Sequence, residues 1–212
     1  MNRGASTKMR IDGGDNLRAE ALSCVRGDKL LFRDLNFTLE PGQAGLVTGP
    51  NGVGKSSLLR LIAGLLEPFS GTIHVPTSVA ICDDRMALDE NLPLQDALRF
   101  WASLDDRLEG DCADAMGAAD MGHLAEVPIR YFSTGQRQRA RLARTFLTAA
   151  DLWLLDEPAN GLDTASVELL GQSLQAHLKR GGMILAASHI ALPVSFDLQL
   201  ELTALEEMET PQ

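Results

Sequence analysis

No run of this chain approaches the ~20 apolar residues that a helix needs to cross a bilayer. The best candidate, Leu58 to Leu66, is too short and is broken by Arg60. The N-terminus, Met1 to Asn16, lacks the apolar core of a secretory signal. Residues 1–16 are therefore read as a flexible leader, and the chain is expected to be soluble on its own, with membrane association only through a partner. Cysteine is scarce. Cys24, Cys82 and Cys112 stand far apart and form no C-x-x-C pair. This excludes a disulfide framework, a paired-cysteine zinc site and a c-type haem attachment, and reads as reduced thiols in a cytosolic protein. Positive charge is in deficit: 19 Lys and Arg against 29 Asp and Glu leave a net charge of −10. Such a surface repels nucleic acid and anionic lipid unless bases cluster locally. His74, His123, His177 and His189 show no pairing that argues for haem ligation. Internal repeats and low-complexity tracts are absent too.

What is present is an ordinary globular composition, 45% apolar over 212 residues, enough to bury one substantial core with room for a small subdomain. Within it, Gly49-Pro50-Asn51-Gly52-Val53-Gly54-Lys55-Ser56 fits the phosphate-binding loop G-x-x-x-x-G-K-[ST]. The apolar run Ala44 to Thr48 precedes it as a strand, and a helical run, Ser56 to Gly64, follows. That order aims backbone N–H groups and a positive helix terminus at a phosphate. Lys55 supplies charge to the β and γ phosphates, and Ser56 is placed to hold Mg²⁺.

Other segments read coarsely. Leu22 to Val25 and Leu35 to Leu39 look like an antiparallel edge around the turn Arg26-Gly27-Asp28, and Gly71 to Val75 and Ser78 to Cys82 follow as short strands. From Leu94 to about Val127 the apolar spacing turns helical, as packing inside a small subdomain does. The acidic stretch Asp105, Asp106, Glu109, Asp111 and Asp114 has no metal-ligand spacing and reads as a solvated face. Leu152 to Leu155, the helix Thr164 to Lys179 and Met183 to Ala187 read as a right-handed parallel βαβ unit.

Leu152-Trp153-Leu154-Leu155-Asp156-Glu157 is an apolar run ending in two carboxylates. Parallel sheets bind ligands at the C-terminal ends of such strands. Asp156 is then a candidate for the Mg²⁺ shell and Glu157 for polarising a water that attacks the γ-phosphate. Taken alone, a solvated acidic turn explains the pattern equally well. Ser133, before the helical run Arg137 to Leu147, is a plausible N-cap that with Gly135 offers donors to an anion. Arg137, Arg139, Arg141 and Arg144 on that run read as solvated or internally paired rather than as a nucleic-acid face.

At Phe132-Ser133-Thr134-Gly135-Gln136 the chain resembles the ATP-binding subunits of ABC (ATP-binding cassette) ATPases, whose signature is L-S-G-G-Q before a basic helix. Pro158-Ala159-Asn160-Gly161-Leu162-Asp163 resembles the D-loop, with Asp163 its namesake, and His189 matches the switch histidine. The resemblance covers about residues 20 to 195. It implies an α/β fold of the P-loop NTPase, ABC-ATPase type: a RecA-like parallel core, an antiparallel β edge and a small helical subdomain over roughly 86–146. One ATP-binding domain would occupy residues 17–205, with a tail at 206–212. The implied activity is ATP hydrolysis coupled to transport. The implied ATP contacts are Gly49, Pro50, Asn51, Gly52, Val53, Gly54, Lys55, Ser56 and Ser57, with Arg26 at the base and Mg²⁺ on Ser56 and Asp156. Lys55, Glu157 and His189 are the implied catalytic residues. Ser133, Thr134, Gly135 and Gln136 would close the site of a second copy, so a homodimer is implied.

The chain departs from the family at three places. Thr134 stands where glycine is usual. Asp84 or Arg85 stands at the Q-loop glutamine, with Gln95 too far downstream to replace it. Arg26 stands at the adenine-stacking aromatic, where a guanidinium plane can also stack. Within the family, Cys24 to Asp28, Leu31-Phe32, Leu35 to Leu39 and Leu152 to Pro158 are similar to the cytochrome c maturation (CcmA-type) subgroup of haem exporters. That similarity implies a CcmB-type integral membrane permease as partner and a peripheral position on the cytoplasmic face of a bacterial inner membrane. Neither direct haem binding nor nucleic-acid binding is expected. A soluble ABC ATPase acting on nucleic acid or ribosomes, and a slow-hydrolysing ATP-gated module, are the alternatives.

Overall fold

A computed structural model of the chain describes residues 9–11, 14–105 and 109–203. The expected tail at 206–212 and Asp106 of the acidic stretch lie outside the described residues, as do residues 1–8 of the expected leader. The side chain of Glu109 is likewise not described.

Two sheets carry the fold. The first has the order β1-β5-β2-β3, built from β1 (Met9–Ile11), β2 (Leu17–Arg26), β3 (Lys29–Leu39) and β5 (Ser70–Val75). β2 pairs antiparallel with both β3 and β5, the edge read from the sequence but longer. Residues 9–11, assigned to the leader by composition, instead form β1, which runs parallel to β5 with Met9 opposite Ile73.

The second sheet is parallel, in the order β6-β7-β8-β4-β9. Its strands are β4 (Ala44–Thr48), β6 (Val79–Cys82), β7 (Leu152–Asp156), β8 (Met183–Ala187) and β9 (Leu198–Glu201). β7 shows why a continuous apolar run marks an interior parallel strand. Leu152 and Leu154 enter the core shared with the antiparallel sheet and helix α1 (Lys55–Ile62), while Trp153 and Leu155 enter the core on the opposite face. Each such side chain, fully buried, contributes roughly 1.5–3 kcal/mol. Helix α5 (Thr164–Lys179) covers that opposite face through Leu170 and Leu174, and links β7 to its parallel neighbour β8.

A third core holds the helical region together: α2 (Leu94–Leu104), α3 (Glu109–Ala118) and α4 (Thr134–Leu147) pack around Leu98, Met121, Ile129 and Ala140. The arginines of the basic α4 helix are paired within the chain, apart from the buried Arg141 Nε, which has no hydrogen-bond partner. Arg137 pairs with Glu90 and Arg139 with Asp120, while Arg141 and Arg144 donate to the carbonyls of Asp83 and Ile81. The three cysteines are buried and are not joined in disulfides. Among the described residues, no helix is long and apolar enough to cross a membrane.

Candidate functional site

Three adjacent strands of the parallel sheet, β7, β8 and β4, end at one cleft. β4 runs into Gly49–Ser56, β7 ends in Asp156 and Glu157, and β8 leads through Ser188 to His189. The loop begins with a residue that must be glycine. Gly49 has φ 132°, and a Cβ there would meet the Leu202 carbonyl oxygen at 2.2 Å. Helix α1 then starts without a side-chain cap and without an acidic residue in its first turn. Its positive N-terminus is left for an outside anion. Lys55 is buried and donates from Nζ to the carbonyls of Gly49 and Pro50, at 2.8 and 3.1 Å. Its third neighbour is His189 Nε2, at 3.0 Å.

Glu157 has φ 49°, an uncommon conformation for a residue with a side chain. It is held there from several directions. Its N–H donates to the Ala187 carbonyl at 2.8 Å, and its own carbonyl accepts from Asn160 at 3.1 Å. Gln138, buried in α4, donates to the Pro158 carbonyl at 3.0 Å and so ties the signature helix to this turn. The Glu157 carboxylate accepts from the His189 backbone at 3.3 Å and stands 3.6 Å from its ring. Lys55, Glu157 and His189, read from three separate strings, are thus one cluster, with Asn51 Oδ1 3.0 Å from the same ring nitrogen.

Asp156 and Ser56 face each other across the cleft. Burial holds the Asp156 carboxyl above its usual range; the Ser56 hydroxyl bonded to it and the Arg60 charge pull the other way, while Glu157 and Asp84 add to the rise. The phosphate side of the cleft, about 310 Å³, is lined by Asn51, Gly52, Gly54, Ser57, Leu31 and the two carboxylates. A neighbouring space of about 430 Å³ adds Arg60, Asp84, Thr134, Gln138 and Arg141.

The signature segment lies at the start of α4. Ser133 is exposed and caps the helix, accepting from Gln136 N–H at 3.3 Å while the Gln136 side chain accepts from Ser133 N–H at 2.9 Å. Gly135 abuts the D-loop: a Cβ there would lie 2.8 Å from the Gly161 carbonyl oxygen. Thr134, in the usual glycine position, is exposed on the cleft wall. Asp163 caps α5, accepting from Ser166 N–H at 2.8 Å, a bond that keeps its carboxyl below the usual range. Arg26 is not brought to the cleft lining; it is an exposed residue at the end of β2. The recess beside Pro50 to Val53 is lined instead by Lys29, Leu30 and Leu31.

Sequence reading missed Leu31, Arg60 and Gln138. An apolar strand residue carries no signal of its own, and the other two matter only through partners on distant segments.

The ABC transporter family profile matches residues 32–160. A relative named cytochrome c biogenesis ATP-binding export protein CcmA, from Zymomonas mobilis, is 50% identical over 86% of this chain and 82% of its own length. The protein of that name from Novosphingobium aromaticivorans is 48% identical over 82% of this chain and 88% of its own. A solved ATP-binding subunit of an ABC transporter superposes with a TM-score of 0.75 at 25% identity, covering 82% of this chain and 79% of that one. This chain belongs to the ABC transporter ATP-binding family.

Proposed function

We propose that the chain hydrolyses ATP as the energy-coupling subunit of a membrane ABC transporter, in the export system for cytochrome c biogenesis that its relatives' names describe. The observation that carries this reading is the convergence of the β4 loop, the β7 carboxylates and His189 from β8 on one cleft. In it, the α1 N-terminus and the loop N–H groups receive the phosphates, and Lys55 turns from the Gly49 and Pro50 carbonyls to meet them. Glu157 accepts a proton from the attacking water, and its strained, multiply anchored backbone fixes where that carboxylate points. His189 contacts the γ-phosphate and holds Glu157 in register.

The donor set fits Mg²⁺. The Ser56 hydroxyl and the Asp156 carboxylate are hard oxygen donors already in contact across the cleft. When bound, the ion neutralises charge on the phosphate oxygens. Arg26, exposed at the end of β2 and outside the cleft lining, would have to swing toward the nucleotide for its guanidinium plane to stack on the base. Ser133, Thr134, Gly135 and Gln136, presented at the exposed start of α4, complete the site of a second copy, with Asp163 in the facing loop. The functional unit is a homodimer seated on a CcmB-type integral membrane permease at the cytoplasmic face of the inner membrane. The domain spans residues 17–205, extended at its start by β1.

Genetic complementation tests the assignment. A cell lacking this chain should lose its c-type cytochromes, and the wild-type chain should restore them while Lys55→Ala should not. Normal c-type cytochromes in the deleted cell would reject the assignment to cytochrome biogenesis.

A further inference from the structure

We propose that the chain carries a second small-molecule site, for an amino acid with an apolar side chain, in a cavity at the end of β7 remote from the nucleotide cleft. β7 ends in Asp156 and Glu157 at that cleft, whereas the cavity opens at residues 149–151, which lead into the strand. Its volume, about 610 Å³, exceeds that of either space of the nucleotide cleft and suits a small molecule. The site therefore stands whether or not the cleft binds ATP.

Two parts of the fold supply its walls. α3, in the helical region, presents Asp111 and Asp114 of the acidic stretch. The parallel-sheet side presents Trp153 of β7, His177 of α5 and Arg180, which caps α5. Trp153 is 2% exposed, and its Nε1 has no hydrogen-bond partner. A buried donor left unpaired is costly. The indole is held in place, stacked on His177 with centroids 3.9 Å apart and tilted against Phe146 at 5.4 Å. Burial lowers the His177 pKa to about 4, so Arg180 is the only cation among the described lining residues at neutral pH. Asp151, which also lines the cavity, is engaged by the Ser78 hydroxyl at 2.7 Å.

Charge and hydrogen bonding divide between these walls. Arg180 and the unpaired Trp153 N–H both need an acceptor, which a carboxylate supplies with two oxygens. The α3 carboxylates instead suit an ammonium. A simple anion would be repelled by Asp111 and Asp114, and a simple cation would leave the indole N–H unpaired. A zwitterion answers both demands. Phe146 and the alanines of α3 and α5 add apolar wall for a side chain. Because α3 and α5 approach each other directly, the two charges of one amino acid can join them. A bound ligand would thus tie the helical region to the core at a point far from the phosphate loop.

The test is a ¹H–¹⁵N NMR titration of the full-length chain with L-phenylalanine, read at the indole N–H signals of its two tryptophans. Trp101 already donates to the Ala87 carbonyl at 2.9 Å and serves as the internal reference, and Trp101→Phe assigns the Trp153 signal. The Trp153 indole proton should move downfield and saturate, with a dissociation constant on the order of 1 mM, while the Trp101 signal stays. Phenylacetate, which lacks the ammonium, and phenethylamine, which lacks the carboxylate, should each bind about tenfold more weakly. Arg180→Met should weaken L-phenylalanine and leave phenethylamine unchanged; Asp114→Asn should weaken L-phenylalanine and leave phenylacetate unchanged. Both residues are exposed, so neither substitution opens the core. A Trp153 signal that no probe moves would mean that water alone satisfies the N–H. Equal binding of all three probes would mean an apolar recess without charge recognition. Either result, or wild-type L-phenylalanine affinity in both variants, overturns the proposal.

Discussion

Lys55 Nζ and His189 Nε2 lie 3.0 Å apart, joining the phosphate loop to the end of β8. An ammonium can only donate, so toward Lys55 the ring nitrogen stands as acceptor. Asn51 Oδ1 lies 3.0 Å from the same nitrogen, so the ring also ties the loop to the end of β8. Lys55 is thus satisfied by two carbonyls and an imidazole nitrogen. In the nucleotide-free protein, the ¹⁵N chemical shift of His189 Nε2 should be that of an unprotonated imidazole nitrogen, and it should move on adding ATP. A protonated Nε2 in the empty protein would contradict this arrangement.

Ser133 serves the α4 helix before it serves any nucleotide. Both halves of its capping box with Gln136 are formed. Ser133→Ala should cost about 1 kcal/mol of stability and lower the melting temperature by roughly 2–4 °C. Thermal unfolding followed by circular dichroism checks it. An unchanged melting temperature would mean that the cap contributes nothing in this context.

His177 makes stability depend on pH. Its ring is stacked on Trp153 with centroids 3.9 Å apart and is bonded to the Met183 carbonyl. Burial lowers its pKa to about 4, against about 6.5 in an unfolded chain. Between those values the unfolded chain binds the proton and the folded one does not, so this contribution is complete above pH ~6.5 and is lost as pH falls toward 4. From pH 7 to 4.5, wild type should lose roughly 2 kcal/mol more than His177→Phe in urea unfolding. Equal losses would place the ring in a more hydrated setting than this one.

The thiols should be inert in the folded state. Cys24, Cys82 and Cys112 are buried, and burial raises Cys82 to about 11. A thiol reagent at pH 8 should label none of them rapidly in the native protein and all three in denaturant. Fast native labelling would reveal an opening motion absent from this structure.

What was legible in the sequence is what is contiguous. The β4 strand, the phosphate loop, the β7 carboxylates and α5 are each a single string whose chemistry is complete within a few residues, and each lies where the string put it. The short strands β1 and β9 were not legible. Three or four residues carry too little periodicity, and they become strands only by pairing with β5 and β4. The cross-links were equally hidden: Arg60 with Asp83 and Asp84, Gln138 with Pro158, and Asn51 with His189 join positions 20 to 138 residues apart. No local pattern encodes such pairs. Asp163 was read only as a loop residue, yet its carboxylate is an N-cap, a role that the following helical run had already made possible.

In the proposed mechanism Glu157 takes the proton of the attacking water, so phosphate release by Glu157→Gln is the measurement that reaches the main claim most directly. The neutral amide keeps the size and the backbone anchors to Ala187 and Asn160 but cannot take a proton. Expected is a loss of about 10²- to 10³-fold in turnover with ATP affinity within about threefold of wild type. Wild-type turnover in Glu157→Gln, or a loss of turnover matched by an equal loss of ATP binding, would contradict a proton-accepting role for Glu157 and the hydrolytic mechanism built on it.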